Sequence, residues 1–187
     1  MKKIITCLLT LSMMFMFSAT AFASDFSGNA ESELSNISDK IVTAVNDVYS
    51  DKNISITAED INYDSAFKIY VDTNVFKLST NVVGEIENAL ENGNYIYLLP
   101  IDTVNGTVVV NFQKGLPLSE NAKAILSEEE QQEVLDNAGK WVISSLALYK
   151  NGNSNYDYEK KLSSIIDEIP ADTILVGGLP IFQDVVA

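Results

Sequence analysis

The sequence predicts an α+β fold: a single domain with a mostly antiparallel sheet of about five or six strands and helices packed mainly on one face. Three observations carry this. Apolar residues recur at spacings of three and four in several separate segments, the signature of helices with one buried stripe. Between them lie short alternating or continuous apolar runs of strand length. Two of these runs are separated only by Asn105-Gly106, which leaves no room for a crossover and demands an antiparallel hairpin.

Residues 24–33 are small and polar and are expected to be a disordered lead-in to the domain, which spans 34–187. Leu34, Ile37, Ile41, Ala44, Val45 and Val48 form the first helical stripe, with Ser32 as the expected N-cap. Phe67, Ile69 and Val71 alternate with Lys68, Tyr70 and Asp72, which predicts a strand with one buried face. Thr80 or Asn81 caps a second helix carrying Val82, Val83, Ile86, Ala89 and Leu90, and Gly93 stands at its end. Residues 95–104 and 107–112 barely alternate, so both faces are expected to be covered and the strands central. Asn105 and Gly106 tolerate the positive φ of a type I′ turn between them.

Ser119 to Leu126 predicts a short helix. Ser127 with Glu130 three residues on is a capping box, and Gly139 a stop. Residues 141–150 fit a helix or a strand; β-branched content and the following Asn151-Gly152 favour the strand. Tyr158, Leu162, Ile165, Ile166 and Ile169 predict a last helix halted by Pro170, with Asn155 as N-cap. Thr173 to Val176 and residues 181–187 read as two closing strands.

The N-terminus has the character of a secretory leader over residues 1–23. Met1-Lys2-Lys3 is a positive start, Ile4 to Phe17 is apolar, and Ala21-Phe22-Ala23 is a small-residue cleavage signal before Ser24. No later segment is long and apolar enough to span a bilayer. The expected location is therefore extracellular. Frequent Asn, Ile, Lys and Tyr with no Arg suit an AT-rich genome, and the short leader a Gram-positive source.

Composition excludes much chemistry. The chain has no His and no Arg, and its one cysteine, Cys7, lies in the leader. A leader-free chain sets 10 lysines against 26 carboxylates, a net charge of −16. It offers no imidazole base, no thiol nucleophile and no disulfide. A field of this sign repels phosphates, so nucleic acid is excluded as a partner.

Four constellations remain. Ser65-Ala66-Phe67-Lys68 has the S-x-x-K spacing of serine acyl-transferases, but the alternation there is that of a strand, which separates the two side chains. Asn151, Asn153, Asn155 and Asp157 place oxygens at alternate positions and are weak candidate ligands for a hard cation such as calcium. An EF-hand loop would need Gly and Glu where Tyr156 and Leu162 stand. Glu120, Glu128, Glu129, Glu130 and Glu133 form an acidic run that reads as helix capping and a solvated face. Tyr70, Tyr95 and Tyr97 on strands, with Tyr63, Tyr149, Tyr156, Tyr158 and Trp141 nearby in sequence, are placed to fill the layer between sheet and helix, or to stack on a sugar or peptide at its rim.

No catalytic residue and no cofactor emerge. The expected function is a secreted, non-enzymatic binding or interaction domain at or outside a Gram-positive cell envelope, with an envelope protein or glycan as partner. The alternatives are a carboxylate-dependent hydrolase of glycans, which needs two acids flanking a groove, and a weak calcium-dependent module.

Overall fold

A computed structural model describes residues 25–71, 83–91, 93–177 and 184–186. The chain runs α1 (Ala30–Leu34), α2 (Ser38–Val48), β1 (Phe67–Val71), α3 (Val83–Glu91), β2 (Asn94–Thr103), β3 (Gly106–Lys114), α4 (Glu120–Ile125), α5 (Glu128–Asn137), β4 (Trp141–Tyr149), α6 (Tyr158–Ser163), β5 (Leu175–Gly177) and β6 (Asp184–Val186). The six strands form one sheet in the order β4-β3-β2-β1-β5-β6. Every pairing is antiparallel except β1 with β5, which is parallel. The fold is the α+β class that the sequence pattern predicts.

Strand alternation sorts the side chains. Tyr97, Leu99 and Ile101 of β2 share a face with Val108, Val110 and Phe112 of β3, and all six are buried. On this face lie Ala30 and Leu34 of α1 and Ile41 and Val45 of α2, also buried. Each such aliphatic side chain withdrawn from water contributes about 1.5–3 kcal/mol. Asn46 ties α2 to the segment beyond it: its amide donates to the Ile56 carbonyl at 3.0 Å and its oxygen accepts from the Ile56 amide at 2.8 Å. The opposite face holds a smaller cluster, in which Phe26, Phe67, Ile69 and Leu175 meet Tyr158 and Leu162 of the short α6.

Several local expectations are corrected. From residue 25 on, the expected disordered lead-in is ordered: Phe26 and Ala30 are buried, and the Phe26 carbonyl accepts from the Lys68 amide at 2.8 Å. The apolar content of this short segment suffices because both residues fall against preformed sheet faces. Ser32 is not an N-cap, because helix begins at Ala30; its hydroxyl donates to the Asn29 carbonyl. The first stripe is broken by a 3₁₀ turn at Ser35–Ile37, and Val48 at its end is 55% exposed.

The hairpin turn is centred one residue earlier than expected. Thr103 pairs with Gly106, so Val104 and Asn105 form the loop, and only Gly106 has positive φ, at 138°. Thr103 decides this locally, its hydroxyl donating to the Gly106 carbonyl at 2.6 Å. The last helix is N-capped by Asp157, not Asn155, and ends at Ser163; Ile165 is 79% exposed. Asp157 wins because its carboxylate reaches the Lys160 amide at 2.8 Å. The Ser127–Glu130 capping box forms as expected, and the Ser127 amide and hydroxyl hold the Glu130 carboxyl below its ordinary pKa. Residues 141–149 are a strand, and 184–186 pair with β5. The expected caps Thr80 and Asn81 lie outside the described residues.

Candidate functional site

Glu33 is the centre of a dense polar cluster. Its carboxylate accepts from the Tyr95 hydroxyl (2.9 and 3.1 Å), the Tyr97 hydroxyl (3.2 Å) and the Trp141 indole N–H (3.0 Å). The donors stand on β2 and β4, so one residue of α1 is bound to both. Trp141 packs on Tyr95 and Tyr97 at centroid distances of 5.5 and 5.1 Å, and Tyr70 continues the cluster at 6.0 Å from Tyr95. Burial, with Glu33 alongside, pushes the Tyr95 hydroxyl up to about 12 and raises that of Tyr97 as well. Lys68 lies 4.0 Å from the Tyr95 centroid, and Lys114 lies 5.0 and 5.3 Å from those of Tyr95 and Trp141. The ring faces are therefore already held by cations of the chain itself. This cluster fixes α1 and the start of β4 on the sheet.

A cleft of about 500 Å³ opens elsewhere, where the N-terminal segment meets the start of β1 and the end of β2. Asp25, Asp64, Asp102, Asp157 and Glu159 line it. Three of these acids have local donors. Asp25 accepts from the amide and hydroxyl of Ser27, Asp102 from the Thr107 hydroxyl at 2.7 Å, and Asp157 caps α6.

Ser65 also lines this cleft, and its hydroxyl donates to the Asn62 carbonyl at 2.7 Å. Lys68 does not line it but lies over Tyr95, so the S-x-x-K pair is not assembled. The Asn-rich segment is a turn: the Asn151 amide group donates to the Val104 carbonyl at 3.4 Å, and Asn153 accepts from the Asn155 amide. Asp157 is turned to its own helix, where its carboxylate accepts from the Lys160 amide. Among the described residues no group of three or more His, Cys, Asp or Glu is placed to hold a metal ion. Glu120, Glu128, Glu129, Glu130 and Glu133 lie exposed on α4 and α5. Ala21, Ala23 and Ser24 of the cleavage signal lie outside the described residues, among which no helix is long and apolar enough to cross a membrane.

The third feature is the edge formed by β4. Among the described residues this strand ends the sheet and pairs only with β3. Its nine residues contain no charge and no proline. Natural edges are usually blunted by one or the other. A bulge at Ser144 is its one irregularity, where the register steps from Ser145 opposite Asn111 to Ile143 opposite Phe112. The Gly115 amide donates to the Lys140 carbonyl at 2.8 Å, so by the alternation of an antiparallel ladder Trp141 and Ile143 turn their amides outward. Sequence reasoning identified the strand but not its place at the edge, which depends on which strands pair.

No family model, curated protein or solved structure matches this chain.

Proposed function

We propose that the protein is a secreted, non-enzymatic binding domain acting at or outside a Gram-positive cell envelope. The observation that carries the binding part is the uncharged edge of β4, nine residues long and, among the described residues, without a strand on its outer side. An open ladder of this length offers main-chain donors and acceptors to an extended partner. The leader-like N-terminus, with Lys2, Lys3 and Ala21-Phe22-Ala23, supports the location. The partner class is an envelope protein or a glycan.

The acid-lined cleft supports the alternative of a glycan hydrolase less well, since three of its five carboxylates are already bound to local donors. The test is to immobilise residues 24–187 and capture from the producing cell's envelope and medium, once with calcium and once with chelator. A stoichiometric partner supports the binding domain, and calcium dependence would bring the Asn151–Asp157 segment into the interaction. Failure to capture anything in both conditions would overturn the reading and favour the hydrolase, to be pursued at Asp64 and Glu159.

A further inference from the structure

We propose that the β4 edge takes up an extended peptide segment of a partner protein, uncharged along its length and carrying carboxylates at both ends, as an added strand. This rests on the binding-domain reading and names the partner's chemistry at the same edge.

The chain is strongly acidic, yet no Asp or Glu occurs between Asp102 and Glu120 or between Asp136 and Asp157. These two intervals contain β3 and β4, so neither of the two strands carries a carboxylate. The charges they hold are cations. Lys140 and Lys150 bracket β4, both exposed, and Lys114 stands opposite Trp141. An uncharged ladder with a cation at either end is complementary to a strand with an anion at either end. Apposed opposite charges favour that register and like charges oppose it.

The same placement disfavours a second copy of this chain. An antiparallel β4–β4 pair centred on Ser145 would set Lys140 of each copy against Lys150 of the other. It would also bring together two strongly acidic chains, each of net charge −14 over the full sequence. The faces of β4 differ in a way that suits strand addition. Ile143, Leu146 and Leu148 are packed on the core and hold the strand in place, while Ser144 and Ser145 are exposed. The bulge at Ser144 divides the ladder, so the partner pairs with the segments on either side of it.

The experiment uses the leader-free chain and two synthetic peptides. Both have a nine-residue core of alternating Val and Thr; one is flanked by Asp pairs and the other by Lys pairs. Amide hydrogen exchange is read at Trp141 and Ile143, with β6 at the other end of the sheet as control. The Asp-flanked peptide should slow exchange at β4 and not at β6. It should bind roughly tenfold tighter than the Lys-flanked peptide at low salt, and the gap should shrink at about 0.5 M salt. The double variant K140E/K150E, on exposed positions that leave the core intact, should reverse the order of the two peptides. Equal binding of both peptides, absence of slowing at β4, or an unchanged order in the double variant would overturn the proposal. Concentration-dependent dimerisation with protection of β4 in the chain alone would overturn it in favour of a second copy. If the peptides fail while envelope capture succeeds and survives K140E/K150E, the binding domain stands and its edge does not. If capture fails too, both fall.

Discussion

Replacing Glu33 by Ala tests whether the carboxylate is the fastener between α1 and the sheet. The substitution removes the acceptor for Tyr95, Tyr97 and Trp141 together. A hydrogen bond to a charged group contributes about 1.5–3 kcal/mol net. The three do not simply add, because Glu33, Tyr95 and Trp141 are only half-buried and water replaces part of what they lose. Tyr97 is fully buried, and its hydroxyl is left without an acceptor. The expected cost is about 2–4 kcal/mol. For a domain of this size that lowers Tm by roughly 5–15 °C. Glu33→Gln keeps one oxygen, which can still serve both tyrosines, but sets an amide N–H₂ against the Trp141 indole. It should cost about half as much. The assay is urea unfolding followed by the fluorescence of Trp141, the sole tryptophan and itself one of the donors. A loss below about 0.5 kcal/mol for Glu33→Ala, or equal losses for Ala and Gln, would refute the account.

The alkaline limb of stability should follow the same cluster. Tyr95 is pushed up to about 12 and Tyr97 also upward, from an ordinary 10.0, so the unfolded chain releases these protons before the folded one does. Their contribution is complete below pH 10 and is lost as pH rises through 12; absorbance titration of the phenolates should show Tyr95 and Tyr97 ionising late, with Tyr49 and Tyr63, which burial also raises, above the ordinary range too. Gly106→Ala should destabilise by well over 1 kcal/mol, because a Cβ there would stand 2.2 Å from the Tyr149 carbonyl oxygen at a φ of +138°. Asn105→Gly, at a position without positive φ, should give no gain; thermal melts of the two variants check both. Tm should rise from low to moderate salt, since Lys123–Glu120 is the one ion pair between described residues and the 14 net negative charges of the chain repel. A flat or falling Tm over that range would show the charges to be locally compensated.

The sequence by itself determined the order of helices and strands and several of their ends. Periodicity marks β1 through Phe67, Ile69 and Val71, and the capping box at Ser127 marks the start of α5. These signals are local: each depends on residues within a few positions, where side-chain direction follows directly from backbone period. Small shifts arose where neighbouring polar side chains competed, as when the Thr103 hydroxyl, donating to the Gly106 carbonyl, moved the hairpin turn to Val104-Asn105, and when Asp157, accepting from the Lys160 amide, displaced Asn155 as a cap. Tertiary structure alone decided the rest. Glu33 meets partners 62, 64 and 108 residues away, and no spacing rule connects them. It also decided that residues 25–33 are ordered, since Phe26 and Ala30 are too few to bury themselves without a sheet made elsewhere. And it placed β4 at the end of the sheet, with its ladder open between Lys140 and Lys150. A strand's own residues state which way they face, but whether it has one neighbour or two is settled only when the whole chain has paired.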